Sequence, residues 1–218
     1  MLLLAIDTST SAITVCLHDG EKPVTATVLD ARAHAEHVAP LIERVLAETG
    51  HAPTDVTDVV VGTGPGPFTG LRVGIVSGLV FAHARGIPVH GVVSLDALAR
   101  QAADAGVEGD LLVATDARRK EVYWARYAVG AGRATRVTDP AVDRPADLPA
   151  DVRALPTAGR GPVLYPELFT QPVDVLDVDA SALAAEGIDG IAAGRPMPFE
   201  PLYLRRPDAL TTAERASR

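Results

Sequence analysis

Cysteine is almost absent: Cys16 is the single one in 218 residues, which excludes an internal disulfide and any cysteine-rich zinc site. Its place in a strand pattern predicts a buried, inert thiol. No apolar run is long enough to span a bilayer. The opening Met1-Leu2-Leu3-Leu4 has no basic region and meets Asp7 too soon for a signal peptide, so a cytosolic protein is expected. Positive charge is short as well, with 20 Lys and Arg against 28 Asp and Glu and a net charge of −8. That balance argues against a general nucleic-acid binder. The familiar nucleotide and nucleophile motifs are missing too. There is no GxxxxGK[ST], GxGxxG breaks at Pro67, and no GxSxG occurs.

What is present begins with residues 62–74, GTGPGPFTGLRVG, which lie between the apolar run Val59-Val60-Val61 and a long apolar segment from Leu71. Glycine allows positive φ and close approach and proline fixes φ, so this stretch predicts a rigid, tight strand-to-helix turn. A helix opening near Thr69 or Gly70 would aim free amides and its positive dipole end into the turn. Spacing alone leaves two uses open, a close-packing turn or an anion site.

The N-terminal pattern is strand, polar turn, strand, turn, strand: residues 2–6, then Asp7-Thr8-Ser9-Thr10-Ser11, then 12–17, the turn Asp19-Gly20, and 23–29. A dinucleotide-binding domain would enter a helix after its first strand, whereas this polar turn closes a hairpin. Its hydroxyls and carboxylate could grip phosphate oxygens or a metal, and equally could serve as a hydrogen-bonded turn. Two helices follow. Residues 35–49 carry Val38, Leu41, Ile42, Val45 and Leu46 on one face, with Pro40 either starting or kinking the helix, and residues 70–85 are apolar nearly all round. Residues 89–93 read as a strand, and Ser94 as the N-cap of a helix reaching Ala103.

The second half predicts a hairpin of strands 111–115 and 121–129 around Arg118-Arg119-Lys120. Prolines then break every period from 139 to 172, and a short helix over 180–186 is expected to stop at Gly187. The division is placed near 105–109, giving a first lobe 1–105 and a smaller, loop-rich lobe 106–218. A chain of this length with 47% hydrophobic residues and a mean hydropathy of +0.17 can bury a sizeable core.

Taken together, Ala5-Ile6-Asp7-Thr8-Ser9 and Gly64-Pro65-Gly66-Pro67-Phe68-Thr69-Gly70-Leu71-Arg72-Val73-Gly74 resemble the TsaB (YeaZ) family. Supporting stretches are Ile87-Pro88-Val89, Ser94-Leu95, Asp116-Ala117-Arg118, Glu121-Val122-Tyr123-Trp124 and Pro201-Leu202-Tyr203-Leu204-Arg205, while 130–194 matches only loosely. The resemblance implies a two-lobed actin-like or Hsp70-like (ASKHA) α/β fold, with mixed sheets flanked by helices. It also implies a non-catalytic subunit that binds and activates TsaD and helps recruit the ATPase TsaE. The set would make threonylcarbamoyladenosine in tRNA, with a homodimer when TsaD is absent, tRNA met locally or through the complex, and no membrane.

Catalytic residues and a metal are not expected. The HxxxH pair of TsaD-type enzymes is replaced here by Val93-Ser94-Leu95-Asp96-Ala97-Leu98, and the second lobe has the charged 116–121 in place of a glycine-rich phosphate loop. His34 and His37 could lie on one helix face, yet no third ligand accompanies them. No cofactor is required on this reading, and ATP or ADP binding would be weak, through Asp7, Thr8, Ser9, Thr10, Gly64 and Gly66. Partner contacts are expected at Val38, Leu41, Val45, Ile75, Leu79 and Ala82, because both helices carry more apolar surface than one sheet face covers. An active ATP-dependent kinase or transferase, or a plain nucleotide-binding module, are the alternatives.

Overall fold

The computed structural model describes residues 1–30 and 34–205, the side chain of His34 excepted. That side chain, half of the His34/His37 pair, and the end of the second expected lobe lie outside the described residues. His37 is 3.5 Å from Asp30.

Two hairpin-linked strands and their neighbours form the first sheet: β1 (Leu3–Asp7), β2 (Ala12–His18), β3 (Pro23–Leu29), β4 (Asp58–Gly62) and β5 (Val89–Val92), in the order β3-β2-β1-β4-β5. β2 is antiparallel to both neighbours, while β4 runs parallel to β1 and β5. A mixed sheet of this order, flanked by helices and met by a second sheet, is the α/β arrangement expected from the sequence. The second sheet holds β6 (Gly109–Asp116), β7 (Val122–Gly130), β8 (Arg133–Arg136) and β10 (Thr157–Ala158), with β9 (Ala141–Asp143) paired to β7.

Helices alternate with the sheets because strands buried on both faces demand cover on both. α1 (His34–Thr49) and α2 (Phe68–Arg85) lie on one face of the first sheet, where Leu4, Ile6, Val59 and Val61 meet Val38, Leu41, Val45, Leu71, Ile75 and Ala82. On the other face, Leu3, Ala5 and Val60 meet α3 (Ser94–Asp104) and α6 (Ala180–Ala192) through Leu95, Leu98, Leu183 and Ala184. Leu111 and Val113 of the second sheet join that same core. Leu112 and Ala114, one residue out of phase, point instead to Leu148, Val152 and Phe169, beside the short α4 (Ala150–Arg153) and α5 (Gly161–Leu164). The layers therefore run helix, sheet, helix, sheet, helix.

One expectation is corrected. α6 does not stop at Gly187 but continues to Ala192. A β-carbon at Gly187 would lie 2.5 Å from Val60 Cγ2, so this glycine lets the helix sit close to the first sheet and does not end it. Of the two places open to Pro40, the start of the helix or its interior, α1 takes the second.

The loop between β6 and β7 has an unusual backbone. Arg118, Arg119 and Lys120 have φ of 61°, 54° and 63°, a left-handed run that costs non-glycine residues about 1–2 kcal/mol each. Among the described residues the left-handed region otherwise holds nine glycines and Ala131. No helix of the described residues is long and apolar enough to cross a membrane.

Candidate functional site

The two motifs that stand out in the sequence are bound to each other. Asp7 ends β1 fully buried, and its Oδ1 accepts from the Ser9 amide and the Ser9 hydroxyl, each at 2.8 Å. Its Oδ2 accepts from Ser94 Oγ at 2.6 Å. Burial raises the Asp7 carboxyl above the usual aspartate range, the hydrogen bonds from Ser94 and Ser9 pull it back, and the charge of Asp177 adds to the rise.

Ser94 is not the N-cap the sequence predicts; that position is Val93. Its hydroxyl donates to Asp7 and accepts from the Gly64 amide at 3.1 Å, while its own amide donates to the Gly64 carbonyl at 2.8 Å. One serine thus pins the glycine-proline turn to the end of β1. No local pattern could have shown this, since the partners are 87 and 30 positions away.

Thr8 does the equivalent for α2. Its hydroxyl donates to the Gly70 carbonyl at 2.7 Å and accepts from the Gly74 amide at 3.0 Å, a pair that a regular helix joins directly. A β-carbon at Gly74 would sit 2.4 Å from Thr8 Oγ1, and one at Gly78 2.3 Å from Val61 Cγ1. Gly70, Gly74 and Gly78 therefore form the sheet-facing stripe of α2, spaced four apart and legible in the sequence, though the apolar pattern hid it. Gly66 is close-packed as well: its β-carbon would lie 2.5 Å from the Ser9 carbonyl oxygen. Gly64 has a φ of 88°, which glycine alone adopts readily.

Of the residues assigned to nucleotide, Asp7, Thr8, Gly64 and Gly66 thus serve the joint between the motifs. Ser9 and Thr10 do reach a cleft of about 220 Å³ between the sheets, shared with Ser11, Gly70, Asp116, Arg118, Arg160 and Asp177. Asp177 closes part of it. Its Oδ1 accepts from the Ser11 amide at 3.2 Å and from Arg160 Nε at 2.8 Å, and its Oδ2 accepts from Arg160 Nη2 at 2.5 Å. A carboxylate of the chain itself therefore takes the loop amide and the arginine that an incoming phosphate would need. Asp177 and Arg160 went unnoticed in the sequence because they fall in the proline-broken half. Among the described residues no group of three His, Cys, Asp or Glu is placed to hold a metal.

The expected partner surface needs correction by residue. Val38, Leu41, Val45, Ile75 and Ala82 are buried against the first sheet, and Leu79 is half-buried at the edge of the same cluster. The glycine stripe seats α2 with Leu71, Ile75 and Ala82 inward. Facing out instead are Phe68, Val76 and Val80, exposed by 42%, 53% and 63%. Phe68 stacks on Tyr203 with centroids 5.2 Å apart, and the Arg72 guanidinium lies 3.9 Å over the Phe68 ring while Nε donates to the Tyr203 hydroxyl at 2.7 Å. Phe68 and Arg72 line one side of an open groove of about 500 Å³ that continues along Val73 and Val76 to Ala35 of α1.

Comparison with known proteins places this geometry. The family model of TsaD, tRNA N6-adenosine threonylcarbamoyltransferase, matches residues 26–191. An uncharacterized protein of Mycobacterium tuberculosis is 44% identical over 212 residues, covering 95% of this chain and 93% of its own. The tRNA threonylcarbamoyladenosine biosynthesis protein TsaB of Escherichia coli is 36% identical over 127 residues, 58% of this chain and 55% of that one. The solved structure of YeaZ from Pseudomonas aeruginosa superposes with a TM-score of 0.82 at 30% identity, covering 93% of this chain and 99% of that one. With the motif joint, the layer order and these matches in agreement, the chain belongs to the TsaB/YeaZ family, within the wider group described by the TsaD sequence model.

Proposed function

We propose that the chain is a non-catalytic subunit for making threonylcarbamoyladenosine in tRNA, pairing with TsaD and helping recruit TsaE, and that it works in the cytoplasm. The observation that carries this reading is the internal use of the phosphate-type loop. Asp7 and Thr8 fasten α3 and α2, and the Ser11 amide is taken by Asp177. Phosphoryl chemistry depends on fixed donors around the transferring group, and here the donors are already engaged. ATP or ADP would bind weakly, after displacing Asp177. At the place of the HxxxH pair, Ser94 holds Asp7, and Asp96 accepts from the Tyr127 hydroxyl at 2.7 Å.

The outward face of α2, with Phe68, Val76 and Val80, supplies the apolar centre that a protein partner requires, and Arg72 and Tyr203 supply the side-chain types that anchor interfaces. Pairing of this face with TsaD, or with a second copy when TsaD is absent, fits a two-fold helical layer. The test is reconstitution of tRNA modification from purified components. The chain alone is expected to form no threonylcarbamoyladenosine from the adenylate and tRNA, and omission of the chain from a TsaD and TsaE mixture is expected to abolish product. Turnover by the chain alone, or full activity without it, would overturn the reading.

A further inference from the structure

We propose that the turn between β6 and β7 is a direct RNA-phosphate contact, with Arg118, Arg119 and Lys120 as its cations. The inference rests on the proposed role with TsaD in tRNA modification and adds a contact made by this chain itself.

In a chain of net charge −8, three consecutive cations stand together on one exposed turn. All three adopt left-handed backbone, where glycine would be relaxed, and the chain places glycine at nine of the other ten such positions described. The turn shape by itself would thus favour glycine, so the long basic side chains account for the residues found there. Its base is firmly held. Asp116 Oδ1 accepts from the Arg118 amide at 2.7 Å, the Ala117 amide donates to the Glu121 carbonyl at 3.0 Å, and the Glu121 amide donates to the Arg118 carbonyl at 3.0 Å. Arg205 adds a bond to the Ala117 carbonyl at 3.0 Å and pairs with Glu121. A base so held presents its cations with little ordering left to do on binding.

The tip has no apolar side chain, which leaves a protein partner without an anchor, whereas contacts to phosphate need none. Overall acidity and a local basic point are compatible: such a point positions RNA held mainly by a partner. Asp116 lies 3.6 Å from Arg118 Nε and offsets part of its charge, and Arg119 also makes an interaction within the chain, so the turn is worth about two phosphate contacts and not three.

The experiment compares wild type with R118G/R119G/K120G and R118Q/R119Q/K120Q, each as the full chain in complex with TsaD. The glycine variant relieves the backbone and the glutamine variant keeps side-chain length, so charge is the shared loss. Binding of labelled unmodified tRNA is measured from about 50 to about 200 mM salt. Both variants should bind about tenfold more weakly at the low end, with a log-log salt slope shallower by about two, and with TsaD binding unchanged. The glycine variant should melt no lower than wild type. Unchanged affinity and slope in both variants overturn the inference. Loss of TsaD binding with unaltered tRNA affinity also overturns it and assigns the turn to an acidic protein surface. A wild-type complex that makes no threonylcarbamoyladenosine sinks the functional reading, whereas a modifying complex whose slope ignores the turn sinks this inference alone.

Discussion

Asp7 and Ser94, 87 positions apart, share a 2.6 Å hydrogen bond between the end of the first strand and the start of α3. With Ser9 also donating twice, the carboxylate gathers three donors where water does not reach. Asp7→Ala should therefore lower stability by about 2–4 kcal/mol, because buried donors are left without acceptors. Urea denaturation followed by circular dichroism checks it, and a loss below about 0.5 kcal/mol would show that the site admits water. The folded-state rise in the Asp7 pKa fixes a pH trend as well. The folded protein holds this proton more tightly than the unfolded chain, so the contribution is most favourable below the unfolded value and declines as pH rises from about 4 through the folded value. Asp7→Asn, which does not titrate, should lose that decline, and its penalty relative to wild type should shrink between about pH 4 and 7.

Gly66 is not in the left-handed region, so its need for glycine comes from contact and not from φ. Even alanine would press on the Ser9 carbonyl. Gly66→Ala is expected to cost about 1–3 kcal/mol, and Gly66→Val more. An unaltered melting temperature would mean that the polar turn shifts freely away from the glycine-proline turn.

Charge placed on α1 and α2 should separate core from surface. Val76→Asp and Val80→Asp stand on exposed positions and should leave folding intact while weakening association with TsaD or with a second copy by about 2 kcal/mol in at least one case. Val45→Asp, fully buried against the sheet, should instead yield little folded protein. Sedimentation and calorimetric titration distinguish the outcomes. Normal association by both surface variants would move the partner face elsewhere.

Asp177→Asn should loosen the cleft, because a neutral amide holds Arg160 less strongly and leaves the Ser11 amide nearer to free. Tripolyphosphate or ADP should then bind about tenfold more tightly than to wild type, as expected when one competing charge is removed. Calorimetry with both proteins tests this. Equal affinities would show that Asp177 does not stand in the way of an anion.

Much of the first sheet is readable from residues alone. The strand Pro23–Leu29 has the bounds its alternation suggests, and α1 and α2 differ by one or two residues from their apolar periods. The second half is harder to read because β9, β10, α4 and α5 are two to four residues long, too short for any period to register. Direction failed where composition was uniform: on α2, Ile75 faces in and Val76 out, and hydrophobicity does not separate them. The functional joint was half visible. Asp7, Thr8 and the glycine turn announce themselves, but Ser94, Asp177 and Arg160 matter only through distant partners, and no spacing rule covers distances set by the fold.

The helix layer between the sheets has a consequence for how the molecule comes apart. Leu95, Leu98 and Leu183 sit in one core with Leu3 and Val60 of the first sheet and Leu111 and Val113 of the second. Neither sheet can shed its neighbour without baring that layer to water, and α6, late in the chain, completes a surface begun by the first strand. Unfolding should accordingly be a single cooperative event, and the slowest-exchanging amides of both sheets should share one opening free energy. A nascent chain released before Ala180 would lack one wall of its own centre, so the fold cannot close until α6 has been made.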